Sequence, residues 1–412
     1  MALVSRIGRG YASPMPDPQS PENPLTSRVE ALVRKRHELV GLPRGRPGGP
    51  DPAEGLTHSE YARISDALLR LQRGLTGNRS LIGSRYMDDP DILAAYLFFY
   101  WPVSYAQVAG VLAQSSLKPA RILDMGSGPG PASAALLDAG AESAVLVDSS
   151  TSALDLARRV LSLGGPLPEK LRYVAADLEG RSPYEGAAEY GPFDCVVFGH
   201  SLNELWVGAH DRAERVLALA AAASGCLSTE GFLLVVEPAL LATSRDALAL
   251  RDGLVSAGWT IYAPCPGRDR KSCPALAAGP GHTCHDELRW ETPETVRILA
   301  RRTGLDKDSL KATWLLARPP AAPTILPRSA YPEDAFRVVS DPLLNKAGRI
   351  RYLLCGGPGR FSFSAPAEDS GSKKSGFTYL RRGDVVRIEN PEIRESGWGL
   401  SSSTRIEVLP GG

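Results

Sequence analysis

The sequence predicts an α/β protein: a doubly wound, Rossmann-like sheet, preceded by a helical region and followed by a small, OB-like β domain. Three observations predict it. From Arg121 onward short apolar runs (RILDMG, SAVLVD, RYVAAD, FDCVVFG, FLLVVEP, WTIYAP and TWLLAR) alternate with helical patterns, as parallel βα units do. RILDMGSGPGPASAALLDAG has the strand, glycine turn and helix of a nucleotide-binding unit. After about residue 320 helical periodicity fades, and RIRYLLCGG, RFSFSAP, FTYLRRG and DVVRIE alternate as strands.

Taken in order, residues 1–56 are rich in proline, glycine and arginine around one helix, SRVEALVRKRHELVG, and are expected to be flexible elsewhere. Residues 57–118 form the helical region. Thr57 and Glu60 make a capping-box pattern, Asp89-Pro90 caps PDILAAYLFFYW, and Pro102 is expected to interrupt that helix before SYAQVAGVLAQS. Residues 119–320 carry the sheet, with a cysteine-rich insertion at 263–290. WTIYAP and TWLLAR are expected to form the antiparallel hairpin that closes such sheets. Residues 321–412 are the β domain, in which SAPAEDSGSKKSG reads as a solvated loop.

A chain of 412 residues implies two or three domains. A net charge of +1 gives no overall pull toward nucleic acid, so RNA contacts would have to come from local basic segments such as RVEALVRKRH, KKSGFTYLRR and RPGG. No run of 18 apolar residues is present, so neither a membrane helix nor a membrane partner is expected. The chain is expected to act as a monomer in the cytoplasm. The mitochondrial matrix is the alternative, because MALVSRIGRGYASPMP has two arginines and no acid, as transit peptides do. In either reducing compartment six cysteines are expected to be free thiols or metal ligands.

Gly126, Gly128 and Gly130 let the backbone approach a ligand at the N-terminus of the following helix. GxGxG also occurs in NAD-binding folds. Asp124, two residues before the first glycine, is placed to meet the amino group of S-adenosylmethionine. Asp148, about twenty residues further on, is placed to accept ribose hydroxyls. Asp177, after a third strand, is placed to accept from the adenine amine. With Ser127, Ser149 and Leu178 these residues make an expected S-adenosylmethionine site. At the fourth strand end, FGHSLNEL offers His200, Asn203 and Glu204 as catalytic candidates. It lacks both the Asn-Pro-Pro-aromatic element that grips an exocyclic amine and the Pro-Cys pair that attacks a pyrimidine. A helix start is the plainer reading of Asn203 and Glu204. Cys195, inside FDCVVF, is expected in the core.

Cys265, Cys273 and Cys284 lie among prolines and glycines, too far apart for the CxxC knuckles of zinc modules. Thiolates delivered singly from separate turns suit a [4Fe-4S] cluster, and Cys-Pro accompanies such ligation. Cys355, which also ends an apolar run at a glycine turn, is the best fourth ligand. A zinc site that uses His282 or His285 is the alternative. Cys226 stands apart.

These residues resemble the methyltransferase-like proteins of the small ribosomal subunit, known as mitochondrial assembly factors with bacterial relatives. The resemblance runs from about residue 85 to 390 through DILAAYLFFYWPVSYAQV, LDMGSGPG, SLNEL, LVVEPA, APCP, SCP, TCH, GRIRYLLCGG and FTYLRRGD. It implies a class I methyltransferase domain, a four-cysteine iron–sulfur site at Cys265, Cys273, Cys284 and Cys355, and action on small-subunit rRNA among ribosomal proteins. Methyl transfer itself stays open, so two functions are carried: an assembly factor, or an active rRNA methyltransferase. A small-molecule methyltransferase with a zinc site is a third.

Overall fold

The structure, a computed structural model, describes residues 23–42, 55–74, 89–115, 117–165, 169–267, 270–322 and 330–409. The transit-like start and the RPGG segment fall outside these residues.

The central sheet has eight strands: β1 (Arg121–Met125), β2 (Ser143–Asp148), β3 (Lys170–Ala175), β4 (Phe193–Gly199), β5 (Leu227–Pro238), β6 (Thr260–Ala263), β7 (Asp286–Leu288) and β8 (Leu310–Arg318). Their order is β3-β2-β1-β4-β5-β8-β6, with β7 paired to the start of β8. The pairs from β3 to β5 are parallel, and β8 runs antiparallel to both β5 and β6. Side-chain alternation divides each strand between two cores. Ile122, Leu146, Val197 and Leu234 face one; Leu123, Val147, Val196 and Leu233 face the other. Burial on both faces is why these strands read as unbroken apolar runs.

WTIYAP and TWLLAR do pair antiparallel, but not as a hairpin. The chain between β6 and β8 holds the cysteine-rich loop, β7 and the helix Glu294–Thr303.

The first core is covered by the N-terminal helices. The helix His58–Gln72 starts on the expected capping box. Pro102 does not interrupt its helix. A π-helical turn, Tyr96–Tyr100, ends two residues before it, with the Trp101 N–H bonded to the Tyr96 carbonyl. The widened turn accommodates a residue that cannot donate. The result is one continuous 26-residue helix, Pro90–Ser115, with a mean hydropathy of 1.3 over its most apolar window. Contrary to expectation, it is long and apolar enough to cross a membrane. It is a core helix: 72% of that window is buried, with Leu97, Phe98, Phe99 and Trp101 fully enclosed.

Residues 23–42, expected to be largely flexible, form helices at Pro24–Arg34 and Arg36–Val40, with Leu25, Val29, Leu32 and Leu39 in the same core. Two cations of the basic segment RVEALVRKRH are spent internally, while Arg34 and Lys35 stay exposed. Arg28 grips Asp138 through two 2.6 Å bonds, and Arg36 lies 2.7 Å from Glu60. Arg28 and Arg36, enclosed with acids, are not available to a phosphate.

The C-terminal domain is a second eight-stranded sheet: β9 (Ala335–Val338), β10 (Leu343–Leu344), β11 (Arg349–Gly356), β12 (Gly359–Pro366), β13 (Val385–Glu389), β14 (Glu392–Arg394), β15 (Gly397–Gly399) and β16 (Arg405–Val408). Its core sets Phe377 edge-on to Tyr352 and Phe363. The loop SAPAEDSGSKKSG contains a short helix, Ser370–Lys374, capped by Asp369. Lys373 and Arg382 of the basic stretch pair with Glu368 and Asp341.

Candidate functional site

β1 ends at Met125, and the chain turns sharply through glycines with positive φ. Gly126 is required sterically: a Cβ there would lie 2.5 Å from the Ser201 Cβ. Ser201 in turn donates its hydroxyl to the Met125 carbonyl at 2.8 Å. The turn is thereby fastened to the end of β4.

Asp148, at the end of β2, accepts the Gly128 N–H and the Ser150 N–H, both at 2.8 Å. It joins the glycine turn to the next strand end. Burial raises its pKa against these two hydrogen bonds. Asp124 is enclosed beneath the turn, accepting the Ser133 N–H at 3.1 Å and hydroxyl at 2.7 Å. Its other oxygen has no hydrogen-bond partner, and burial pushes the carboxyl up to about 7.

A cavity of about 840 Å³ opens at these strand ends. Gly126, Ser127, Gly128, Asp148, Ser149, Asp177 and Leu178 line it, as do His200, Asn203 and Glu204. Asp124 and Gly130 do not. Asp124 braces the turn from behind, and a Cβ on Gly130 would face Leu146, Ala157 and Leu161. Asp177 is exposed at the rim, accepting the Glu179 N–H at 2.9 Å.

His200 has a φ of 64°. Its Nε2 is 2.8 Å from Gln107 Oε1, while Gln107 Nε2 donates to the Lys311 carbonyl at 3.0 Å. That carbonyl fixes the amide orientation, so His200 is the donor through Nε2–H and Nδ1 keeps its lone pair. Burial, then the Lys307 charge, hold the imidazole down to about 4. It is neutral near pH 7. Asn203 donates to the His200 carbonyl at 2.8 Å. Beneath this turn burial pushes the Glu237 carboxyl up to about 8. Neither of its oxygens makes a well-formed hydrogen bond, although the Asn203 amide and the Leu202 and Asn203 N–H groups face it and oppose the shift.

The sequence reading missed one whole wall of the cavity: Tyr96, Tyr100, Ser104 and Gln107 from the long helix, Lys307 before β8 and Lys311 within it. The helix wall did leave a signal. The four residues recur at spacings of four, four and three, a polar stripe on an otherwise apolar helix.

The structure brings four cysteines into mutual electrostatic reach. Burial raises the Cys355 thiol, and the charges of Cys265, Cys284 and Cys273 add to the effect. Cys284 is pushed up to about 12, by burial first and then by Cys265 and Cys273 among its neighbours. Among the described residues no group of three or more His, Cys, Asp or Glu side chains is drawn together closely enough to hold a metal ion. The thiols are neighbours, not a closed ligand cage.

The loop itself is well anchored. The Cys273 N–H donates to Asp252 at 2.9 Å, Arg251 binds the Gly267 and Arg270 carbonyls, and Arg270 reaches the Gly357 carbonyl of the β11–β12 turn. Of the rival ligands, His282 lines a separate cavity with Arg270 and Arg360. His285 is held down to about 4 by burial and then by Arg382 and Lys311. Cys195 and Cys226 sit in the two sheet cores.

The strand order and the glycine-turn cavity at the point where that order reverses define a class I methyltransferase fold. A family model described as mitochondrial small ribosomal subunit Rsm22 matches residues 91–382, and the chain belongs to that family. The family's description supports the mitochondrial alternative over the cytoplasmic placement expected first.

No curated protein matches the chain closely enough to count. Among solved structures it is similar to a ribosomal protein L11 methylase from Lactobacillus delbrueckii subsp. bulgaricus, at 14% identity over 51% of this chain and 77% of that one, with a TM-score of 0.31. It is also similar to magnesium protoporphyrin IX methyltransferase from Synechocystis PCC 6803 with bound SAM, at 14% identity over 61% and 96%, with a TM-score of 0.33.

Proposed function

We propose that the chain is a small-ribosomal-subunit assembly factor that binds S-adenosylmethionine in the glycine-turn cavity. The observation that carries this is Asp148: it organises the glycine turn through Gly128 and still lines the cavity, where its remaining lone pairs suit ribose hydroxyls.

Titration calorimetry with S-adenosylmethionine tests the binding. Ribosome profiles of cells complemented with the Asp148→Ala protein test the role. Normal 30S-type particles in the absence of cofactor binding would overturn a cofactor-dependent assembly function.

A second reading, an active rRNA methyltransferase, is favoured by His200, a neutral imidazole lining the cavity with Nδ1 unprotonated. When bound, the cofactor supplies an electrophilic methyl group. His200 would take the proton that the nucleophile loses. Identical rRNA methylation maps with and without the gene would exclude it.

We further propose that Cys265, Cys273, Cys284 and Cys355 hold a [4Fe-4S] cluster, with zinc as the alternative. The donor chemistry supports this, though the thiols are neighbours and not a closed cage: Arg251 feels the charges of Cys265 and Cys273, and Arg337 that of Cys284. Such a centre supplies negative charge and redox capacity. The residues bind it and shield it from water. The absorption spectrum of anaerobically purified protein decides between the two: a broad visible band that bleaches on reduction means iron–sulfur, and a colourless protein loaded with zinc means the alternative.

A further inference from the structure

Cys355 does not stand alone on its strand. It is registered opposite Arg337 of β9 on one side and Arg360 of β12 on the other. Directly opposed residues of antiparallel strands project to the same face. One rung of the C-terminal sheet therefore presents arginine, cysteine, arginine toward the cysteine-rich loop.

The two arginines differ in what they already hold. Arg337 lies 2.5 Å from Asp286 and donates to the Pro264 carbonyl at 3.2 Å. Arg251, the third cation beside these thiols, is bonded to Asp252 at 2.8 Å. Arg360 has no acidic partner among the described residues. Its Nε and Nη1 are buried and without hydrogen bonds, and its charge acts on both Cys284 and Cys355. Buried guanidinium nitrogens left idle, as Nε and Nη1 are here, are costly unless something accepts from them. Thiols accept weakly; thiolates and inorganic sulfide accept well.

We propose that Arg360 is the positioning residue of the thiol site. Its Nε–H and Nη1–H donate to the sulfur atoms of a thiolate-bound centre and offset the negative charge left when the four cysteines lose their protons. This rests on the four-cysteine reading given above. Reduction adds further negative charge, so a cation bonded to the sulfurs favours the reduced form and holds the reduction potential up. Arg360 also lines a cavity of about 540 Å³ with Arg270, Ser272 and His282.

The test uses the full-length protein purified anaerobically as wild type, Arg360→Gln and Arg360→Lys. Iron, sulfide and zinc contents are measured first, then the rate of metal loss to a chelator, and for iron-loaded protein the midpoint potential. Thermal melts of metal-free protein confirm that the variants fold. Arg360→Gln is expected to lose metal about tenfold faster, the scale seen when partners that orient metal ligands are removed. Its midpoint potential should move to more negative values, with Arg360→Lys in between. Wild-type protein without metal overturns the four-cysteine reading and this proposal with it. Loaded wild type and a Gln variant with equal retention and equal potential overturns the proposal alone. With zinc in place of iron, the retention measurement decides.

Discussion

The guanidinium of Arg337 lies 2.5 Å from the carboxylate of Asp286, and that pair ties the C-terminal sheet to β7 of the methyltransferase sheet. Both side chains are almost wholly enclosed. Asp286 also accepts the Trp314 indole N–H at 3.0 Å, so the join is a network and not a lone contact. Burial alone would raise the Asp286 carboxyl; Arg337 and Trp314 overrule it and hold it below its ordinary value.

Removing one partner leaves the other charge buried. Arg337→Met is expected to cost about 3–5 kcal/mol, while Arg337→Met combined with Asp286→Leu recovers part of it. Denaturant unfolding of the three proteins checks this; a single variant as stable as the wild type would mean that the pair contributes nothing.

Gly126→Ala is expected to destabilise by about 1–3 kcal/mol and to weaken S-adenosylmethionine binding at least tenfold. The new Cβ must displace Ser201, which lies 2.5 Å away, in a backbone conformation with a φ of +74°. Calorimetry and thermal melts read the two effects separately.

His200 is expected to titrate well below the ordinary histidine range, with a midpoint near 4, visible as an imidazole signal that does not move between pH 6 and 8. Lys307→Met should shift that midpoint upward, since a neighbouring cation disfavours the charged ring. Titration at an ordinary value in the wild type would contradict the enclosed geometry.

Glu237 makes stability depend on pH. Burial raises its folded value to about 8 from 4.5, so the folded chain keeps a proton that the unfolded chain has lost. Its contribution is fully present below about 4.5, falls as pH rises and is gone above about 8. Glu237→Gln removes this dependence. Between pH 6 and 9 the variant should lose at least about 1 kcal/mol less stability than the wild type; parallel curves would show that Glu237 is ionised in the fold.

The sheet was legible because burial on two faces writes itself into apolar runs, and the glycine turn because its backbone conformation admits few other residues. Asp148 and His200 could be placed from where strands end. The role of Asp124 could not: position alone does not tell whether a carboxylate faces a cavity or braces the turn behind it, as it does through Ser133. The tyrosine and glutamine wall was hidden because it lies on a helix far earlier in the chain. Pro102 misled because its usual effect assumes an ordinary α-helical turn before it. Arg28 and Arg36 looked available to RNA because nothing local announces Asp138 or Glu60 as partners.

The helix Pro90–Ser115 is made before any strand of the sheet that later covers it. While translation continues, Phe98, Phe99 and Trp101 have only the earlier helices to pack against, and the sheet face of that core is missing. A nascent chain in that condition sticks to its neighbours or to lipid, so production of this protein should depend on a chaperone that holds the early helices until the sheet arrives.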